Sequence, residues 1–169
     1  MKPTGVFFIV VFFGLTLVTP VFLPALAGAE GKSAPPLKAA LLDGTSFELA
    51  QAAGDVVIVH FWATWCKPCR VEMPAIEEYY RKHRAEGLRV LAISMDEPDD
   101  EAKVREAMRA FSFQGALAES ADFKEYGRIW RLPLTFVIDR KGVLRKDGWY
   151  GRPSLELKDL EKTVTPLLR

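Results

Sequence analysis

The chain has little with which to hold a metal ion or a nucleic acid. It contains only two histidines and two cysteines in 169 residues, and the second histidine of a C-x2-C…H-x3–5-H zinc pattern is absent. Nor is there a surplus of charge. Its 23 lysines and arginines are balanced by 22 acidic residues, which excludes the basic footprint of a nucleic-acid-binding domain. No internal repeat and no long low-complexity tract occurs, so repeat architectures are set aside. The first 27 residues hold no cysteine, which excludes an acylated lipoprotein.

That leader has one charge, Lys2, then an apolar run from Gly5 to Val18, then Pro20, Pro24 and Ala25-Leu26-Ala27. A basic start, an apolar core, helix-breaking prolines and an A-x-A site make a signal peptide over residues 1–27. An uncleaved anchor is the rival reading, because the apolar stretch to Ala27 is almost long enough to span a bilayer. The prolines and small residues favour cleavage. Without Lys2 the remainder carries 22 basic and 22 acidic side chains. Residues 28–36, with Pro35-Pro36, read as a linker, and 37–169 as one domain with a substantial core.

The two cysteines stand together in Phe61-Trp62-Ala63-Thr64-Trp65-Cys66-Lys67-Pro68-Cys69. Val56-Val57-Ile58-Val59, followed by Phe61 and Trp62, is a continuous apolar, β-branched run, as in a strand buried on both faces. From Cys66 to Glu86 the composition favours helix, and Gly87 ends it. Cys66 then sits at a helix N-terminus, where unpaired N–H groups and the helix dipole stabilise a thiolate. A free thiol pKa near 8.5 falls to roughly 3.5–7.5 in such a setting. Cys69, one helical turn deeper, shares that face and can reach back. Cys66 is thus the attacking thiol and Cys69 the resolving one. Pro68 omits a donor that has no intrahelical partner, and Lys67 adds positive charge beside the thiolate. A structural disulfide is the alternative, but so short a loop stabilises little.

The run from Phe61 to Pro74, taken with Leu132-Pro133-Leu134-Thr135-Phe136-Val137-Ile138-Asp139, resembles the TlpA/ResA branch of the thioredoxin superfamily, the exported thiol-disulfide reductases of bacteria. The likeness spans about Pro35 to Arg169. It implies a thioredoxin-like α/β fold, a three-layer sandwich with a central mixed sheet and an N-terminal β-hairpin. It further implies a cis peptide at Pro133 facing the cysteines, a substrate-pairing backbone at Leu132 and a proton-handling carboxylate at Glu72. Glu72 lies one turn beyond Cys69, where it can accept the Cys69 proton or raise thiol pKa values by repulsion. Trp65 is expected to be an exposed ring contacting the partner, with Lys67 and Pro68 alongside, and Trp62 to be core.

Implied partners are exported proteins with disulfides, such as an apocytochrome c or a copper-site assembly factor, and a membrane dithiol donor of the DsbD/CcdA type. The chain is expected to act as a monomer, with no cofactor beyond the redox-active Cys66–Cys69 disulfide and no metal. Leu134 stands where the cytochrome-maturation branch often has Glu. The rival function is copper binding or copper-site assembly on the same fold, since soft thiolates bind Cu(I). Upstream of Cys66, where thioredoxins bury an Asp and this branch often has Asn, stands His60. It reads either as a buried neutral imidazole satisfied by a backbone partner or as the proton acceptor for Cys69.

Elsewhere, Lys38 to Leu49 around Asp43-Gly44 predicts a hairpin, and Leu88 to Ile93 a second buried strand. Asp99 to Phe111 is expected to be helical, with acids at its positive end. Leu134–Ile138 and Val143–Lys146 flank a turn at Asp139–Gly142. Leu157, Leu160, Val164 and Leu167 give a terminal helix. Pro74 should bend the first helix. The run Arg81-Lys82-His83-Arg84 reads as a solvated face.

Overall fold

The computed structural model describes residues 29–152 and 155–169, so the leader at 1–27 lies outside the described residues. Strand β3 (Val56–Trp62) is its axis, with all seven residues buried. An apolar, β-branched segment of this kind is stable only when both edges and both faces are covered. Its neighbours are β4 (Leu88–Ser94), parallel, and β6 (Leu134–Ile138), antiparallel. With β1 (Lys38–Leu41), β2 (Ser46–Glu48), β5 (Gln114–Asp122) and β7 (Leu144–Lys146) they form one mixed sheet in the order β2-β1-β5-β4-β3-β6-β7. The β1–β2 hairpin turns at Gly44, whose φ of 87° suits a residue without Cβ.

Helix α1 (Lys67–His83) follows β3, and α2 (Glu101–Met108) links β4 to β5. At the C-terminus α3 (Leu157–Thr163) passes into α4 (Thr165–Leu168). The sequence reading differs in its limits. The first helix stops at His83 and gives way to a 3-10 turn, Arg84–Glu86, closed by Gly87. The second begins with a 3-10 turn at Pro98–Asp100 and ends at Met108. The terminal helix is two pieces, the second with Pro166 in its first turn. Helix α1 runs continuously through Pro74.

Three differences go beyond boundaries. Strand β5 lies in a stretch where the sequence pattern marked no element. All four α-helices contribute to one hydrophobic cluster with Cys66, Cys69, Met73, Ile76 and Tyr79. The opposite cluster, built on Val57, Val59, Phe61, Leu91, Ile93 and Phe136, is covered by irregular chain around Phe123, Tyr126, Ile129 and Trp149. The third layer, on which the sequence reading placed no element, is therefore loop and short 3-10 turns, Lys124–Tyr126 and Leu49–Ala52, among the described residues. Finally, the described part of the 28–36 segment is no free tether. Gly31 N–H donates to Leu144 O (2.8 Å), Leu144 N–H to Lys32 O (2.9 Å) and Ala34 N–H to Gly142 O (2.8 Å), which covers the outer edge of β7. No described helix is long and apolar enough to cross a membrane.

Just beyond β7, Gly148 lies against the backbone of β6: a Cβ there would be 2.8 Å from Thr135 O and 3.0 Å from Thr135 N. Two backbones in such contact leave no room for a methyl group. Gly148→Ala is expected to destabilise the fold by about 1–3 kcal/mol in urea denaturation, and an unchanged midpoint would show that this approach is slack.

Candidate active site

Between the end of β3 and the start of α1 the chain must reverse within a few residues. Asp96, just beyond β4, holds that turn. Its carboxylate accepts Thr64 N–H (2.8 Å), Thr64 Oγ1–H (2.5 Å) and Ser94 Oγ–H (2.6 Å), and Met95 N–H donates to Trp62 O at 2.8 Å. Asp96 is buried, so its bonds are shielded from water and the segment entering the helix is fixed. The sequence reading missed this residue, since a Ser-Met-Asp tail behind an apolar strand looks like an ordinary loop.

Cys66 is the N-cap of α1, not its first helical residue, and its Sγ accepts Cys69 N–H at 3.2 Å. The two cysteines form a disulfide. Cys69 is wholly buried, whereas Cys66 retains 4% exposure, so an incoming sulfur meets Cys66 first. Pro68 occupies the first turn, as a residue without an N–H can at no cost. The Leu132–Pro133 peptide is cis, and Leu132 packs against the cluster that contains both cysteines. Around this point Trp65 is 67% exposed, with Lys67 and Pro68 also on the surface, while Trp62 is core. A groove of about 490 Å3, lined by Lys67, Pro68, Val71, Glu72, Ala75 and Leu157 among others, opens beside the pair.

Beneath the pair lie buried polar groups. Glu72, on α1, receives Thr135 Oγ1–H on Oε1 at 3.3 Å, and its Oε2 meets no hydrogen-bond partner among the described residues. Burial pushes this carboxyl up from its usual 4.5 to about 7. The Leu155 backbone, the Thr135 hydroxyl and the Lys146 cation draw it partly back, and Asp159 adds to the rise. His60, on β3, has Nδ1 2.9 Å from Thr135 Oγ1 and 3.9 Å from Glu72 Oε1. Burial lowers it to about 3, so it is neutral at physiological pH. Its partner is thus a side-chain hydroxyl and not the backbone group that the sequence reading supposed. Lys146, also buried, is held below its ordinary range by desolvation.

The fold therefore brings His60, Cys66, Cys69, Glu72, Leu132 and Pro133 to one end of β3 and sets Trp65, Lys67 and Pro68 on the rim. It adds Asp96, Thr135 and Lys146, which lay hidden in polar or apolar runs without a motif. The other histidine does not join them. His83 is buried at the far end of α1, its ring tilted against Tyr79 with centroids 4.4 Å apart and Nδ1 2.9 Å from Glu86 Oε1, and so stands apart from the solvated Arg81, Lys82 and Arg84. Among the described residues no three His, Cys, Asp or Glu side chains gather as metal ligands.

A carboxyl titrating at about 7 in the fold and 4.5 outside it binds a proton more tightly when folded. Its cost to stability is absent below about pH 4.5, grows through the window between the two values and is complete above about pH 7. Glu72→Gln should therefore gain stability relative to the parent as pH rises from about 4.5 to about 7, by up to about 3 kcal/mol. Chemical denaturation at a series of pH values measures the difference, and a gap independent of pH would contradict the shifted carboxyl.

Comparison with known proteins agrees with this geometry. The AhpC/TSA family pattern matches residues 31–147. The thiol-disulfide oxidoreductase ResA of Bacillus thuringiensis subsp. konkukian is 32% identical over 154 residues, covering 90% of this chain and 88% of that protein. The thioredoxin-like protein YneN of Bacillus subtilis is 34% identical over 122 residues, 69% of each chain. A crystal structure of a thiol:disulfide interchange protein of the thioredoxin family from Chlorobium tepidum superposes with a TM-score of 0.66 at 26% identity, covering 85% of this chain and 100% of that one. With the family pattern over residues 31–147 and these relatives, the chain belongs to the AhpC/TSA family, as a thiol-disulfide oxidoreductase of the ResA type.

Proposed function

We propose that this enzyme is an extracytoplasmic reductant of disulfides in exported proteins. The observation that carries the reading is the Cys66–Cys69 pair at the N-terminus of α1, with Cys66 outermost and the raised carboxyl of Glu72 behind it. In the dithiol form the helix N-terminus favours the Cys66 thiolate, which attacks a substrate disulfide and expels one substrate sulfur as thiolate. The Cys69 thiol then gives its proton to the Glu72 carboxylate, and the Cys69 thiolate attacks Cys66 Sγ. The mixed disulfide breaks, the Cys66–Cys69 bond forms, and the second substrate thiolate leaves and takes up a proton. Two electrons pass from the enzyme dithiol to the substrate. A membrane dithiol donor of the DsbD/CcdA type returns them, since an oxidising compartment cannot.

Substrates are exported proteins such as an apocytochrome c or a metal-site assembly partner. The apolar groove beside Pro68 and Val71 and the exposed Trp65 ring suit an extended segment around the target cysteine. The Leu132 backbone and cis-Pro133 present the opposite wall. The leader at 1–27 exports the domain, which acts as a monomer and carries no cofactor besides its own disulfide.

Cys66→Ser should abolish turnover of a protein disulfide, and Cys69→Ser should accumulate the mixed disulfide as a species visible without reductant on gels. Multiple turnovers by Cys69→Ser would refute the two-thiol mechanism. Equilibration of residues 28–169 in dithiothreitol or glutathione buffers, with metals excluded, should give a reduction potential near that of thioredoxin, about −270 mV. A value near about −120 mV would make the enzyme an oxidant.

A further inference from the structure

Register in the sheet sets His60 directly opposite Thr135, and the tight contact of Gly148 on the Thr135 backbone fixes that residue from the other side. His60 and Glu72 are too far apart, at 3.9 Å, to bond to each other. Thr135 Oγ1 lies between them, 2.9 Å from Nδ1 and 3.3 Å from Oε1. A hydroxyl has one hydrogen. An ionised Glu72 can only accept, so that hydrogen goes to Oε1, and the contact with His60 must be Nδ1–H donating to Oγ1. The reverse order would turn an oxygen lone pair on the carboxylate and bury an N–H at Nε2, which meets no partner among the described residues. A buried donor without a partner is the costlier arrangement.

We infer that Thr135 is a positioning residue for proton transfer: backed by the Nδ1–H of neutral His60, its hydroxyl pins Glu72 Oε1 and leaves Oε2 as the oxygen that exchanges protons with the cysteine pair. His60 acts only through Thr135 and never takes the Cys69 proton itself. This decides between the two readings that the sequence left open for His60, and it rests on the role given to Glu72 above. The geometry supports it further, since Oε2 is buried, makes no hydrogen bond of standard geometry among the described residues and belongs to a side chain lining the groove beside Lys67 and Pro68, with the Leu155 backbone as the other polar group near the carboxyl. Other charges also face Glu72: Lys146 from β7 and Asp159 from α3. Lys146 is in turn under the influence of Glu30, Asp147 and Arg131. These are untouched by changes at Thr135 or His60, so their contribution is constant through the test.

The test follows the Glu72 carboxyl carbon by NMR across pH in the full chain with its disulfide intact, and so needs no turnover. Thr135→Val removes one hydrogen bond to the carboxylate and should raise the Glu72 midpoint by about one pH unit. Thr135→Ser, which restores the hydroxyl, should return it close to the parent value. His60→Leu should raise it by less, and His60→Leu with Thr135→Val should match Thr135→Val alone, because the histidine has no other route to the carboxyl. In pre-steady-state assays the alkaline rise in mixed-disulfide resolution should move with the midpoint in each variant. A midpoint unmoved by Thr135→Val, or shifts that add in full in the double variant, would overturn the inference. Should Thr135→Val not fold, His60→Leu and Thr135→Ser still decide it, since an unmoved midpoint in His60→Leu excludes the chain. Failure of Glu72→Gln to alter the rate profile would instead strike the proton-acceptor role of Glu72 and leave the midpoints standing.

Discussion

The junction between β3 and α1 is the constraint on which the rest depends. A strand wholly buried by β4, β6 and two hydrophobic clusters cannot shift, and the Asp96 carboxylate ties its exit to β4 through Thr64 and Ser94. Cys66 is thereby delivered to the N-cap, where its sulfur accepts the Cys69 N–H of the first turn. The stabilisation of a thiolate by a helix end decays within a turn. A displacement of the junction by a residue would therefore lose both the cap and the reach of Cys69.

The same strand carries a second task on its buried side. His60 and Glu72 both avoid charge, for opposite protonation reasons. The imidazole is neutral because burial lowers it to about 3, and the carboxyl is often protonated because burial raises it to about 7. Stability contributed by a depressed histidine is lost as pH falls from about 6.5 toward about 3, while the raised carboxyl costs stability as pH rises from about 4.5 toward about 7. The two windows overlap, so no pH frees the fold of both costs. Apolar residues at these positions would be more stable. Perturbed ionisable groups of this kind cluster at functional sites more often than in cores built for stability alone.

Much of this was legible in the sequence for definite reasons. The β3 pattern, the helix with its cysteines and prolines, the hairpin at Asp43-Gly44 and the division between exposed Trp65 and buried Trp62 all depend on local chemistry. Strand β5 was not, because Gln114-Gly115-Ala116-Leu117-Ala118-Glu119-Ser120-Ala121-Asp122 has neither alternation nor β-branching. It is a strand because β4 and β1 both need a partner. Gly115 illustrates the point: a Cβ there would come within 2.9 Å of Met108 Cε and 3.1 Å of Leu42 Cδ1, a requirement imposed across the fold. The pairing of residues 31–34 with β7 was hidden likewise, since proline- and glycine-rich chain reads as a tether whether or not an open edge awaits it. Thr135 was masked by the apolar residues around it, and its meaning appears only when register places it beside a histidine distant in sequence.

The loop that carries Leu132 and Pro133 is braced by the segment that backs this buried chain. Arg131 Nη2 donates to Gly148 O at 2.9 Å and to Trp149 O at 2.5 Å, and its guanidinium lies over the rings of both Trp130 and Trp149. Trp149 is fixed in turn by its indole N–H to Tyr126 O at 2.8 Å. Gly148, one residue away, lies on the Thr135 backbone. The residues from Gly148 to Trp149 therefore hold the loop from one side and the threonine beneath Glu72 from the other. The cis-proline loop and the threonine beneath Glu72 are thereby positioned by one support, so a disturbance of that support reaches both.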